Sequence, residues 1–503
     1  MPAAPAAAAA LPRDVLLRIA APLRESISAA PYEPPAGSSA SVKSLLAALL
    51  PSPSQPQPPA GKEAADLLLF CAAVLSASPE TPALHWVPVG LSSAAAAATE
   101  EMAAAGGWGR VGEMVMVMMP EVVPPLKAVV KETCVDAEND EISAAKPPKE
   151  HAVVAAHQFR WLVSQVNYPK LGDFCWLVIP CALTTLDHWS PEVKEQGMVS
   201  FMHIARNVKV TELNLYEDAI LDACCHNIPA DDQLWYRVVE VSVLLLTSTQ
   251  RSNPRSPWYD RMLSEMLGHL ERQPLNRERR LAWLTLIGPV FDAMGLFLLA
   301  HFRRLFSLFF QWMHVDDDKT VLLVLEQIHA IIKLTWIRKS PYTSRLVDEL
   351  VLLYKESATR SGREVMRNHI LEMLVLLQKC KGEQFEEAWK KHELDPDLTM
   401  LLSCFNQLCI KILRDVHFNL VDGILTYLYL GVIFHWEIQY LRLQLTYLDG
   451  SAHAAVPSAP HILVQSKLYS PPPAPQQAFR VLAASKPEDA TTPTMRQTDN
   501  TST

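Results

Sequence analysis

Between Leu171 and Leu394 the chain runs for 224 residues with only eight of its 38 prolines and seven of its 17 glycines. A stretch so poor in residues that interrupt a helix is predicted to be helical almost throughout. Apolar residues recur inside it at helical intervals. Val193, Gly197, Phe201, Ile204 and Val208 step by four, four, three and four. The same pattern appears in Leu234, Val238, Val241 and Leu245, in Tyr259, Leu263, Met266 and Leu270, and in Val321, Leu325, Ile328 and Ile332. Met366, Ile370, Met373, Leu377 and Cys380 give it once more. These intervals place one apolar stripe along each helix. No segment of comparable length alternates with a period of two, which argues against a sheet.

Helix starts are marked with unusual regularity. Ser190-Pro191, Ser256-Pro257 and Ser340-Pro341 each set an N-cap hydroxyl before a proline suited to the first helical position. Asp231-Asp232 and Asp316-Asp317-Asp318 mark two more starts, and Ser361 with Glu364 has the spacing of a capping box. The second helix of each pair is expected to begin near Trp189, Asp231, Asn276, Asp316 and Gly362, at intervals of 42, 45, 40 and 46 residues. That is the period of HEAT and armadillo repeats. One helix pair cannot cover its own apolar stripe and must stack on neighbours, so the expected fold is all-α, a HEAT/armadillo-like α-solenoid of antiparallel helix pairs.

Around this array the chain divides into four expected regions. Residues 1–150 form an alanine- and proline-rich helical region, with a helix from Lys62 to Ala77 and with Pro51–Pro59 and Ser92–Gly107 as surface loops or linkers. Residues 151–394 are the repeat array, 395–449 are C-terminal helices, and 450–503, rich in Pro, Ser, Ala and Thr, are a disordered tail. Gly295–His314 is apolar on nearly every face apart from Arg303 and Arg304, and reads as a helix sandwiched inside the array. Gly423–Trp436 is too short to span a bilayer, which takes about 20 residues, and reads as a buried helix.

The chemistry of catalysis is missing. Gly61-Lys62 lacks the preceding glycine of a phosphate loop, and His435-Trp436-Glu437 and His392-Glu393 lack the second histidine of a zinc hydrolase helix. The nine cysteines are scattered, and Cys404 with Cys409 is half a zinc site at most. Cys224-Cys225-His226 reads as packing, and the aspartates at 316–318 as acids favoured by a helix N-terminus rather than as a magnesium site. Neither catalytic residues nor a cofactor or metal are expected. With 45 basic against 54 acidic residues the net charge is −9, which disfavours nucleic acid as a partner. No secretory h-region opens the chain, so a cytoplasmic and nuclear protein without a membrane partner is expected.

The segment from Leu171 to His392 resembles a known family, the Tti-two subunits of the Triple-T complex, which are the smaller HEAT-repeat partners of the Tel-two and Tti-one proteins. The resemblance rests on LDHWSPEVKEQGMVSFMHIARNV (186–208), WYRVVEVSVLLL (235–246) and RRLAWLTLIGPVFDAMG (279–295), in that order. It covers a little under half of the chain. It implies a non-catalytic adaptor that binds two larger HEAT-repeat proteins. Through them it would assist maturation of phosphatidylinositol-3-kinase-related kinases together with the ninety-kilodalton heat-shock chaperone. The residues that would meet these partners are not legible in the sequence. Two other readings compete: a general HEAT adaptor of the transport or phosphatase-scaffold kind, and an enzyme or membrane-associated protein with Gly295–Met313 and Gly423–Trp436 lying on lipid.

Overall fold

A computed structural model describes residues 11–34, 38–53, 59, 61–78, 81–134, 148–403 and 405. The segment Gly423–Trp436, the tail from 450, Cys404 and Cys409 lie outside the described residues, as does most of the region expected as C-terminal helices. Among the described residues there is no strand. The helices are α1 (Arg13–Ala29), α2 (Val42–Ala48), α3 (Lys62–Leu75), α4 (Val89–Ala105), α5 (Val111–Cys134), α6 (Lys149–Ser164), α7 (Cys175–Leu186), α8 (Pro191–Asn207), α9 (Val210–Leu213) and α10 (Glu217–Asn227). They continue with α11 (Asp232–Thr249), α12 (Pro257–Arg272), α13 (Arg277–Leu286), α14 (Gly288–Met294), α15 (Phe302–Trp312), α16 (Asp318–Leu334), α17 (Thr343–Glu356), α18 (Arg363–Lys381) and α19 (Glu383–Trp389).

One row of helices forms the spine. α3, α6, α8, α11, α13, α16 and α18 each pack on the next, and α7, α10, α12, α15 and α17 return between them on the other side. From α8 onward the spine helices begin at residues 191, 232, 277, 318 and 363, at intervals of 41, 45, 41 and 45. This is the HEAT-like α-solenoid expected from the spacing. The apolar registers explain why the stack is continuous, because Val193, Phe201, Leu234, Val238, Leu263, Val321, Ile328, Met366 and Ile370 are all buried between adjacent pairs. Each such side chain contributes about 1.5–3 kcal/mol when removed from water. The array also extends upstream of residue 150, since α5 packs on both α6 and α7, and α1 lies against α3 and α4.

Four local expectations need correction. Ser92–Gly107 is not a linker; most of it lies in α4, whose Ala95, Ala98, Met102 and Ala103 are buried. Alanine is the strongest helix former, and a run without breakers follows that preference even without an obvious stripe. α17 starts at Thr343, two residues after the proline of Ser340-Pro341, because the segment first makes a turn in which the Ser340 carbonyl accepts from the Thr343 N–H. Ser361 does not form a capping box with Glu364; its hydroxyl donates to Asp318 of the previous spine helix at 2.9 Å. Gly295–His314 is not one helix: Gly295 at φ +52 ends α14, a 3-10 turn follows to His301, and α15 then begins. α15 is two-sided. Arg303, Ser307 and Gln311 face solvent at four-residue steps, while Phe302, Leu305, Phe306, Phe309 and Trp312 are buried, so the helix is covered on one side and is not sandwiched.

The same stretch, 288–312, is by length and composition apolar enough to cross a membrane. The break at Gly295 and the burial of the α15 stripe make it part of the core here. Gly197 shows how closely the pairs approach. A Cβ there would lie 3.0 Å from the Leu186 backbone nitrogen, tighter than an ordinary contact, so glycine lets α8 cross the end of α7 without a shift of backbone.

Candidate functional site

In a stack of this kind all spine helices run parallel, so their N-terminal ends share one edge and their C-terminal ends the other. On the N-terminal edge the polar residues are joined from repeat to repeat. Asp232 of α11 accepts from Arg279 Nε and, at 3.0 Å, from Asn276 Nδ2, both of the next repeat. Arg279 is buried, donates also to the Ala230 carbonyl at 2.9 Å, and lies 4.7 Å over the Trp235 ring. Arg277 reaches Asp317 at 3.1 Å. Asp318 then accepts from Arg360 (3.2 Å), from the Ser361 hydroxyl (2.9 Å) and from the Gly362 N–H (3.0 Å), capping the start of α18 from the neighbouring repeat.

The ionisation of these carboxylates follows from their partners. The hydrogen bond from Arg279 holds the Asp232 carboxyl below the usual range. Burial alone would raise Asp318, but the Gly362 N–H, Ser361 and Arg360 outweigh it and the carboxyl is lowered. Asp317 is lowered likewise, with Thr320 and Arg277 overcoming burial. The aspartate run is therefore more than a favourable helix start: it ties three repeats together. The 45-residue interval between the starts of α16 and α18 sets Asp318 opposite Gly362, 44 residues further on.

The Asp187–Pro191 segment has a definite role too. The Ser190 N–H donates to His188 Nδ1 at 3.0 Å, which leaves the proton on Nε2, 3.1 Å from the Thr133 hydroxyl. Trp189 Nε1 donates to the Thr133 carbonyl at 3.0 Å. Histidine and tryptophan thus clamp the end of α5 onto the turn that begins α8. Burial, with Lys194 nearby, lowers His188 to about 4, so the ring is neutral at physiological pH.

Among the described residues no three His, Cys, Asp or Glu side chains come together to hold an ion. Cys224 and Cys225 are buried, with their thiols pushed up to about 12 and about 11 by burial, and Cys225 Sγ rests 3.7 Å from Met262 Sδ. His392 is spent on Asp348 at 2.8 Å. A narrow cleft with room for about 10 Å³ is lined by Phe306, Ile331, Tyr342, Leu377 and Lys381, and the amine of Lys381 is already bound to the carbonyls of Thr335, Trp336 and Arg338. What remains open to solvent is the outer face of the spine. Arg237 there lies 3.9 Å from Glu195 and 2.9 Å from Glu240, and Tyr236 and Val365 are exposed. Such a face offers binding area.

No family model matches the chain. Solved structures similar to it include Kap95p bound to RanGDP, with a TM-score of 0.43 and 15% identity over 78% of this chain and 43% of that one. Another is the karyopherin Kap121p bound to the SUMO protease Ulp1p, with a TM-score of 0.29 and 11% identity over 78% of this chain and 47% of that one. The chain spans less than half the length of either. A relative in Arabidopsis thaliana, uncharacterized protein At2g39910, is 47% identical over 402 residues, covering 76% of this chain and 92% of its own length. At that identity and coverage the two share one fold and one ancestry, and the chain belongs to the family of that Arabidopsis protein.

Proposed function

We propose that this protein is a non-catalytic scaffold of the Tti-two kind, the smaller HEAT-repeat subunit of a Triple-T assembly. There it would hold Tel-two-like and Tti-one-like partners and so support maturation of phosphatidylinositol-3-kinase-related kinases with the heat-shock chaperone. The observation that carries the reading is the Asp187–Pro191 clamp. The segment on which the resemblance rests most heavily is a structural joint of the array, with His188 and Trp189 locking α5 to α8. Support also comes from an outer spine face open to solvent, with Tyr236 and Val365 exposed. The expected compartments are cytoplasm and nucleus.

Affinity purification of the tagged chain from its own cells, with co-purifying proteins quantified by mass spectrometry, tests the proposal. Two larger HEAT-repeat proteins in near-equal amounts, with a kinase of the related family as a minor species, are the expected result. Recovery of nuclear-pore or phosphatase components in their place would leave the solenoid and remove the Triple-T assignment.

A further inference from the structure

On the C-terminal edge of the spine Lys381 reaches back to the carbonyls of Thr335, Trp336 and Arg338, but four other cations there have no acid of a neighbouring repeat as partner among the described residues. The loop after α11 carries Arg251 and Arg255, and the loop after α16 carries Arg338 and Lys339, all exposed. Among the described residues none of these four side chains is paired with a carboxylate. The acids nearby are already engaged, Glu217 by Gln250 at 3.0 Å, Asp218 by Trp258 at 3.1 Å and Asp260 by His301 at 3.0 Å.

Between the two basic loops runs the 295–301 connection, which is apolar and partly open. Phe297 is 42% exposed, with the Arg255 guanidinium 5.3 Å from its ring centre. Trp336, two residues before Arg338 in the second loop, is 39% exposed. Both loops are held in place. Lys381 binds three carbonyls of the second, and in the first the Asn253 N–H donates to Gln250 and the Ser256 N–H to Asn253. The arrangement is basic, apolar, basic, on fixed backbone. The combination of arginine and exposed aromatic rings is the composition of binding hot spots.

We propose that this edge docks an acidic segment of a partner polypeptide, with a bulky apolar residue set on Phe297 and carboxylates on either side. The inference rests on the scaffold reading and names the chemistry of one contact. The two loops are two spine helices apart, roughly 16–20 Å at ordinary helix spacings. An extended chain at about 3.3 Å per residue covers that in five or six residues. Nucleic acid fits less well, because a continuous phosphate chain would also lie over the apolar 295–301 connection between the two basic loops. A lipid surface fits less well because the apolar stripe of α15 faces the core.

The test uses the full chain and a labelled peptide with one phenylalanine between runs of glutamate. Single-stranded oligonucleotide and phosphatidylserine vesicles serve as competing probes. The paired variants Arg251→Glu/Arg255→Glu and Arg338→Glu/Lys339→Glu are expected to weaken peptide binding about tenfold or more each, with affinity falling as salt rises. The exposed pair Arg110→Glu/Lys390→Glu, with the same change of charge, is expected to leave it unaltered. Unchanged binding in the loop variants, or tighter binding of the oligonucleotide or the vesicles than of the peptide, overturns the proposal. Co-purification of large HEAT partners with the loop variants reads the scaffold assignment separately.

Discussion

Replacing Asp318 with alanine should loosen the joint between α16 and α18 far more than replacing its neighbour Asp316. The Asp318 carboxylate accepts three hydrogen bonds from the next repeat, and its side chain is 24% exposed. Its removal leaves the Gly362 N–H and the Arg360 guanidinium short of an acceptor. Hydrogen bonds to a charged group are worth about 1.5–3 kcal/mol net, and the partial exposure places the loss near about 2 kcal/mol. Asp316 is exposed and makes no such bond, so only the general preference of a helix start for acid remains, under about 1 kcal/mol. Because repeat arrays open locally, hydrogen exchange is a better assay than a global melt. The amides of the first turn of α18 should exchange about 30-fold faster in Asp318→Ala, at about tenfold per 1.4 kcal/mol, and change little in Asp316→Ala. Equal, small effects in the two variants would refute the idea that Asp318 caps its neighbour rather than its own helix. The contribution also depends on pH: with its pKa lowered in the fold, Asp318 stabilises above the unfolded carboxylate value of about 4 and stops doing so as pH falls further.

Other consequences are equally measurable. His188→Ala removes the acceptor of the Ser190 N–H and the link to Thr133, and should cost about 2–3 kcal/mol, read as a lowered unfolding midpoint in urea. His157 and His188 are lowered by burial to about 3 and about 4, so the fold favours their neutral forms. Stability should therefore decline as pH drops from about 6.5 toward 4, and a flat profile across that window in denaturant titrations would contradict the burial of both rings. Gly197→Ala places a methyl 3.0 Å from the backbone of Leu186 and should destabilise by about 1–3 kcal/mol in a thermal melt, although alanine is the better helix former. Cys71, Cys181 and Cys224, each pushed up to about 12 by burial, should resist alkylation at neutral pH in the folded chain and react once urea is added, as peptide mapping would show.

The repeat period and the spine helices were legible because they follow from two local signals, apolar residues three and four apart and, at most of the starts, polar residues suited to a helix N-terminus such as Ser190, Asp231 and the aspartates at 316–318. α8, α11, α13, α16 and α18 begin within two residues of the expected starts. α4 was missed because an alanine run has helix propensity without a stripe, and the stripe was the signal in use. The break at Gly295 was hidden by its apolar neighbours, since hydropathy does not register a change of backbone sign. The inter-repeat edge was the least accessible. Asp318 and Gly362 are 44 residues apart and meet only when the repeats stack, so a local reading assigned Ser361 to a capping box and the aspartates to their own helix. The basic loops were visible as letters, yet their alignment on one edge is a property of the stack.

Co-expression of the full chain with a Tel-two-like and a Tti-one-like protein, followed by size-exclusion chromatography with light scattering, tests the central claim most directly. The account predicts one species whose mass equals one copy of each, and the loss of that species when the joint is broken by His188→Ala. Separate elution of this chain from both larger proteins would contradict it.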